Sequence, residues 1–156
     1  MKSSSVLTKT ILLIIVIIFI NACDKDEESI SFDIQGDWKV ISFFDNEVHK
    51  IIVKTESNSY SQYNNGDITV TFDTITNRIE GINVTNLFFG YFNANNHGVI
   101  TTNNLIWTMI YEPEWGSLFH SIEEAETYKV IGENLYIYCN KKKMIINLRR
   151  ISTKAK

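Results

Sequence analysis

Residues 67–73, Asp-Ile-Thr-Val-Thr-Phe-Asp, place Ile68, Val70 and Phe72 on one side and Thr69 and Thr71 on the other. That period of two is the mark of a strand with one buried face, and short stretches of the same kind fill most of the chain. They fall at 31–44, 49–57, 77–84, 86–100, 105–112, 127–131, 135–139 and 141–151. Asn- and Gly-bearing turns separate them, as in Asn64-Asn65-Gly66 and in residues 93–98. In 31–44, Trp38, Val40 and Ser42 alternate with Lys39, Ile41 and Phe43, which reads as a strand buried on both sides.

One segment has helical periodicity. Trp115, Leu118, Phe119 and Ile122 recur at i, i+3, i+4 and i+7, giving one apolar stripe. Pro113 suits a helix start, because its missing N–H costs nothing in the first turn. Glu112 and Glu114 suit the positive end of the helix dipole. Gly116 weakens such a helix by up to ~1 kcal/mol relative to alanine. The expected class is therefore mainly β (β-rich α+β): a small antiparallel barrel-like or curved sheet of roughly eight strands with one packed helix.

The start of the chain has a different character. Ile11–Ile20 is wholly apolar, follows Lys2 and Lys9, and leads through Asn21 and Ala22 to Cys23. As a helix this run rises only ~15 Å, half of the ~30 Å hydrocarbon core that a span must cross. A basic start, a short apolar run and small residues before a cut fit a secretory signal. Ile20-Asn21-Ala22-Cys23 resembles the lipobox of bacterial lipoproteins, in which the cysteine is acylated and becomes the first residue. The expectation is a signal over 1–22, a lipidated Cys23 with an acidic tether over 23–33, a domain over 34–151 and a tail over 152–156. Asp24, Lys25, Asp26, Glu27 and Glu28 form a charged run that favours solvent over burial, and such a cluster behind a lipidated cysteine resembles the surface-export signal of Bacteroidetes lipoproteins. The implied location is the outer membrane, lipid-anchored, with the cell surface as one option.

Removing residues 1–22 from 156 leaves 134, enough for one domain with its own core. Lys2 and Lys9 leave with the signal, so 13 of the 15 basic residues then face 18 acidic ones. With no basic stripe, nucleic acid is not an expected partner. Cys139 is the one thiol besides Cys23, in an apolar-alternating segment that suggests a buried, inert side chain.

Over residues 34–151 the order of motifs resembles the META domain of bacterial envelope lipoprotein-like proteins associated with heat shock. The chain has Gly36-Asp37-Trp38 for the family's opening Gly-x-Trp strand, then Gly81, Asn86, Gly90 and Tyr91, and Thr108-Met109 for its Thr-Met pair. An acidic-led helix follows at Glu114–Ile122, then Tyr128, Val130, Gly132 and Leu135 in the closing hairpin and Arg149 or Arg150 in the last strand. It departs from the family at Val84-Thr85 and Ile110, where many members carry cysteines. The resemblance implies a small antiparallel barrel-like domain with one helix, no catalytic residues, and a loosely defined binding, scaffolding or envelope-stress role. A lipocalin-like lipoprotein, which also opens with Gly-x-Trp, is the alternative and would carry a small apolar ligand in its barrel.

Catalytic constellations are hard to find. His49, His97 and His120 fall in different elements, without a partner at metal-ligand spacing. There is no Gly-x-Ser-x-Gly, phosphate loop or dinucleotide fingerprint. Glu112, Glu114, Glu123, Glu124 and Glu126 cluster, but glutamates flanking a helix are ordinarily its solvated face. No enzyme activity, metal or cofactor is expected. Asp73-Thr74-Ile75 fits an O-glycosylation pattern of Bacteroidetes envelope proteins as well as a strand-ending turn. The residues left for ligand or core duty are Trp38, Phe88, Phe89 and Tyr91, and the expected partners are the membrane, through the lipid, and an envelope protein or small apolar ligand.

Overall fold

The computed structural model describes residues 29–151. The strands are β1 (Ile30–Ser31), β2 (Gly36–Asp45), β3 (Lys50–Val53), β4 (Thr69–Asp73), β5 (Arg78–Asn83), β6 (Asn86–Ala94), β7 (Ile100–Trp107), β8 (Ala125–Ile131), β9 (Asn134–Cys139) and β10 (Met144–Arg150). Two short helices accompany them, α1 (Glu56–Ser59) and α2 (Glu114–Phe119), the second continuing as a 3-10 turn over His120–Glu124. No described helix is long and apolar enough to cross a membrane. The strands form one antiparallel sheet in the order β1-β8-β9-β10-β2-β4-β5-β6-β7, with β3 also on β2. The expected class, a curled antiparallel sheet with one packed helix, is the class found.

Curling brings β7 back towards β8. At one end the two strands meet: Val99 bridges Thr127, and the Tyr128 N–H donates to the Gly98 carbonyl at 2.7 Å. The Tyr128 hydroxyl lies 2.8 Å from the Phe32 carbonyl and 2.9 Å from that of Asn95, donating to one at a time. At the other end the edges part, and the α2 segment fills the gap, held to β7 by the Thr102 hydroxyl donating to the Ile122 carbonyl at 3.0 Å. The sheet is a half-barrel closed by a helix, an arrangement that leaves little of its edge bare.

Two of the register shifts in the sheet change which residues face the core. Val40 and Ser42 of β2 oppose Leu148 and Asn147, adjacent residues of β10, so Ile41 is an extra residue and a bulge. Trp38, Val40 and Phe43 consequently all face the core. The two-sided burial expected for 31–44 is therefore a one-sided strand whose phase changes at Ile41. The second irregularity pairs Gly90 with Asn104 and Leu105. Asn104 takes a φ of 52°, and a side chain on Gly90 would lie 2.8 Å from the Asn104 carbonyl.

Other boundaries move for local reasons. The strand expected over 49–57 stops at Val53, because Thr55 caps α1: its N–H donates to Asn58 Oδ1 at 2.8 Å, and its carbonyl accepts from the Ser59 hydroxyl at 2.6 Å. The strand expected over 105–112 is instead β7, ending at Trp107. Residues 108–112 leave the sheet to bond with the β5–β6 turn. Pro113 sits one residue before α2 in an extended conformation.

Aromatic rings fill the space between sheet and helix. Phe43 packs edge-on against Trp115 at 4.8 Å, and Phe72 against Phe92 at 5.1 Å. Ile68, Val70 and Phe72 point inward as their alternation predicts.

Both described termini lie at one end of this half-barrel, together with the β4–β5, β6–β7 and β8–β9 turns. The β2–β3, β5–β6 and β9–β10 turns and α2 lie at the opposite end.

Candidate functional site

Where the β5–β6 turn meets residues 108–112, a polar knot replaces regular pairing. Asn86, almost fully buried, is at its centre. Its Oδ1 accepts from the Thr108 hydroxyl and the Ile110 N–H, each at 2.8 Å. Its Nδ2 donates to the Ile110 carbonyl and to Glu112 Oε1, each at 2.7 Å, and its N–H donates to the same Oε1 at 3.0 Å. Glu112 thus turns inward, unlike the solvated helix-flanking glutamate that its place in the sequence suggests. Its carboxyl oxygens take amide donors that a buried turn must satisfy. The other oxygen, Oε2, occupies the place that a side chain on Gly116 would need. Asn83 joins in, donating from Nδ2 to the Gly116 carbonyl at 3.0 Å.

The knot fixes the course of residues 108–112, and that course exposes their apolar side chains. Met109 is 97% exposed, and Ile110 and Tyr111 are also largely exposed. Beside them runs an open groove of about 430 Å³, lined among others by Trp107, Glu112, His120 and Glu123. His120 packs against Trp107 at a tilt, with ring centroids 4.2 Å apart, and its Nδ1 is 3.5 Å from Glu123 Oε1. The apolar surface continues down the outside of the sheet. Leu87, Phe89 and Tyr91 alternate outward on β6, with Ile82 of β5 opposite Leu87 and Ile106 of β7 opposite Phe89. These side chains form one strip of the kind that marks interaction surfaces.

The structure separates the residues that the sequence grouped. Trp38 is fully buried; its Nε1–H donates to the Ile34 carbonyl at 2.9 Å, and the Arg150 guanidinium lies over its ring at 4.2 Å. Phe88 is core, against Trp107 at 4.8 Å and Phe119 at 5.4 Å. Phe89 and Tyr91 are about half exposed and belong to the outer strip. Cys23 and Asp24, Lys25, Asp26, Glu27 and Glu28 lie outside the described residues. His49 and His97 sit in exposed turns, each in a different segment from His120. Among the described residues, no three His, Cys, Asp or Glu side chains converge as a metal shell would require. Cys139 is buried, and burial pushes its thiol up to about 12.

Sequence reasoning missed the knot. One signal for it was present: a glycine inside a short helix, four residues after a glutamate, is where a carboxyl can fold back against the backbone.

No family model and no curated protein matches the chain. Two solved structures do. One is the crystal structure of a DUF4847 family protein from Bacteroides vulgatus, at 15% identity and a TM-score of 0.52, covering 77% of this chain and 95% of that one. The other is the NMR structure of a protein from Burkholderia xenovorans, at 12% identity and a TM-score of 0.57, covering 76% and 83% respectively. At such identities the likeness is one of fold.

Proposed function

We propose that this chain is an outer-membrane lipoprotein, anchored through Cys23, whose META-like domain binds or scaffolds another envelope protein and catalyses nothing. The observation that carries the binding reading is the outer strip of Ile82, Leu87, Phe89 and Ile106 with its continuation at Met109, Ile110 and Tyr111. Half-exposed aromatic and aliphatic side chains in register across three strands cost solvation free energy that a partner's apolar surface would recover. Polar Asn86, Thr108 and Glu112 hold the segment beyond them in one course, so little ordering entropy remains to be lost on association. The lipocalin-like carrier reading draws less support, because Trp38, Phe43, Phe72, Phe88, Trp115 and Phe119 occupy the interior where its ligand would sit.

The test is photo-crosslinking in the native envelope from single positions. A crosslinker at Phe89 or Met109 should capture one discrete partner, and one at exposed Glu126 of β8 should not. Leu87→Glu should abolish the capture while leaving the fold intact by circular dichroism. Equal capture from all three positions would refute the strip as an interface. A small lipid co-purifying with the domain, with no protein captured, would restore the carrier reading.

A further inference from the structure

The end of the half-barrel from which the chain leaves towards Cys23 carries its own apolar side chains. Ile75, at the tip of the β4–β5 turn, is 89% exposed; Ile30 is also exposed, and Phe32 and Ile151 are partly so. The turn holds Ile75 out rigidly. Asp73 Oδ1 accepts from the Ile75 N–H at 2.9 Å and Oδ2 from the Thr76 hydroxyl at 2.7 Å, while Thr74 donates its N–H and hydroxyl to Gln35 Oε1 at 2.7 and 2.6 Å. Thr74, Ile30, Phe32 and Asn95 border one open cleft, so the segment before β2 and the β4–β5 and β6–β7 turns share one surface.

We infer that this end rests on the bilayer, with Ile75, Ile30 and Ile151 in the lipid interface, and that the Met109–Tyr111 end points away from it. The inference rests on the lipid anchor at Cys23 and adds an orientation to it. Ile30 lies seven positions after Cys23, a reach of at most ~25 Å when fully extended. The ten residues of β2 rise about 33 Å from one end of the sheet to the other. The tether is therefore too short to bring the Met109 end down to the membrane with the domain inverted. Upright and side-on poses remain, and the exposed isoleucines at the exit end favour the upright one, which leaves the strip on β5–β7 free for a protein partner. Asp33, Asp73 and Glu133 outnumber Arg78 and Arg150 at this end, and the run Asp24–Glu28 ahead of it is acidic, so the contact is apolar and owes nothing to attraction by anionic lipid.

Isoleucine methyl NMR reads the pose directly, because both candidate surfaces carry isoleucines. The chain from Cys23 onward is coupled through that thiol to a maleimide lipid in phosphatidylcholine nanodiscs containing a nitroxide-headgroup lipid. The buried Cys139 stays unmodified. Signals of Ile30, Ile75 and Ile151 should broaden several-fold more than those of Ile106 and Ile110. Ile75→Glu should level that difference while the chain stays anchored. Uniform broadening in the unsubstituted chain, or stronger broadening at Ile82, Ile106 or Ile110, would overturn the inference. Native acylation of Cys23 is read separately, by mass spectrometry of the exported protein. An unmodified thiol there removes the lipoprotein reading without altering what the nanodisc experiment says about the surface.

Discussion

Gly116 is where local propensity and tertiary packing give opposite answers. Considered as a helical residue, Gly116→Ala should stabilise α2 by up to ~1 kcal/mol. In the folded chain the new methyl would enter the space held by Glu112 Oε2, and that carboxyl cannot move without loosening Asn86. Overpacking a filled site typically costs 1–3 kcal/mol, so Gly116→Ala is expected to lower stability, by about 1–2 kcal/mol. Urea unfolding measures it; a variant as stable as the parent would mean that the carboxyl yields freely. The same pair shows why residue-level reading stopped short. Glu112 looked like a dipole partner because its actual partner, Asn86, lies 26 residues earlier and is brought to it only by the sheet. Phe88 and Phe89 were legible as opposite-facing, but two phenylalanines give no hint of which face is the inner one.

At the scale of elements, alternation was a reliable guide until a bulge interrupted it. The phase of β4 follows directly from Ile68, Val70 and Phe72, and the stripe of Trp115, Phe119 and Ile122 packs as its spacing indicates. Ile41 and Asn104 shift the phase within β2 and β7, and nothing in the local sequence separates a bulge from two-sided burial. Asp67 ties several elements together: Lys39 of β2 donates to its Oδ2 at 2.7 Å, and Lys54, beyond β3, donates to its Oδ1. Partial burial pushes its carboxyl up, but the two lysine hydrogen bonds outweigh this and hold it below the ordinary value of 3.8. With the folded value depressed, its contribution is fully present above about pH 3.8 and is lost as pH falls from there through the folded value. Asp67→Asn should thus lower stability near neutrality and flatten the acid limb below pH 4. An unchanged acid limb in denaturation measured from pH 6 to 2 would show that the ion pairs contribute nothing.

For the whole molecule, Cys139 is a built-in reporter. It lies on β9 under the α2 segment, and burial holds its thiol at about 12. At pH 8 it should resist alkylation in the folded chain and react at once in denaturant, because exposing it requires the helix to leave the sheet. Rapid labelling under native conditions would mean that the gap between β7 and β8 opens easily.

Folding order is also constrained by topology. Strand β2 is among the first segments to be made, yet one of its edges waits for β10: Trp38 pairs with Arg150, and Asp45 with Met144. The strands between form their own meander, but the seam between β2 and β10 stays open until the last strand has been supplied. Contacts this distant along the chain make closure slow. Whether the chain emerges from a ribosome or from any other exit, that seam cannot set until nearly all of it is free.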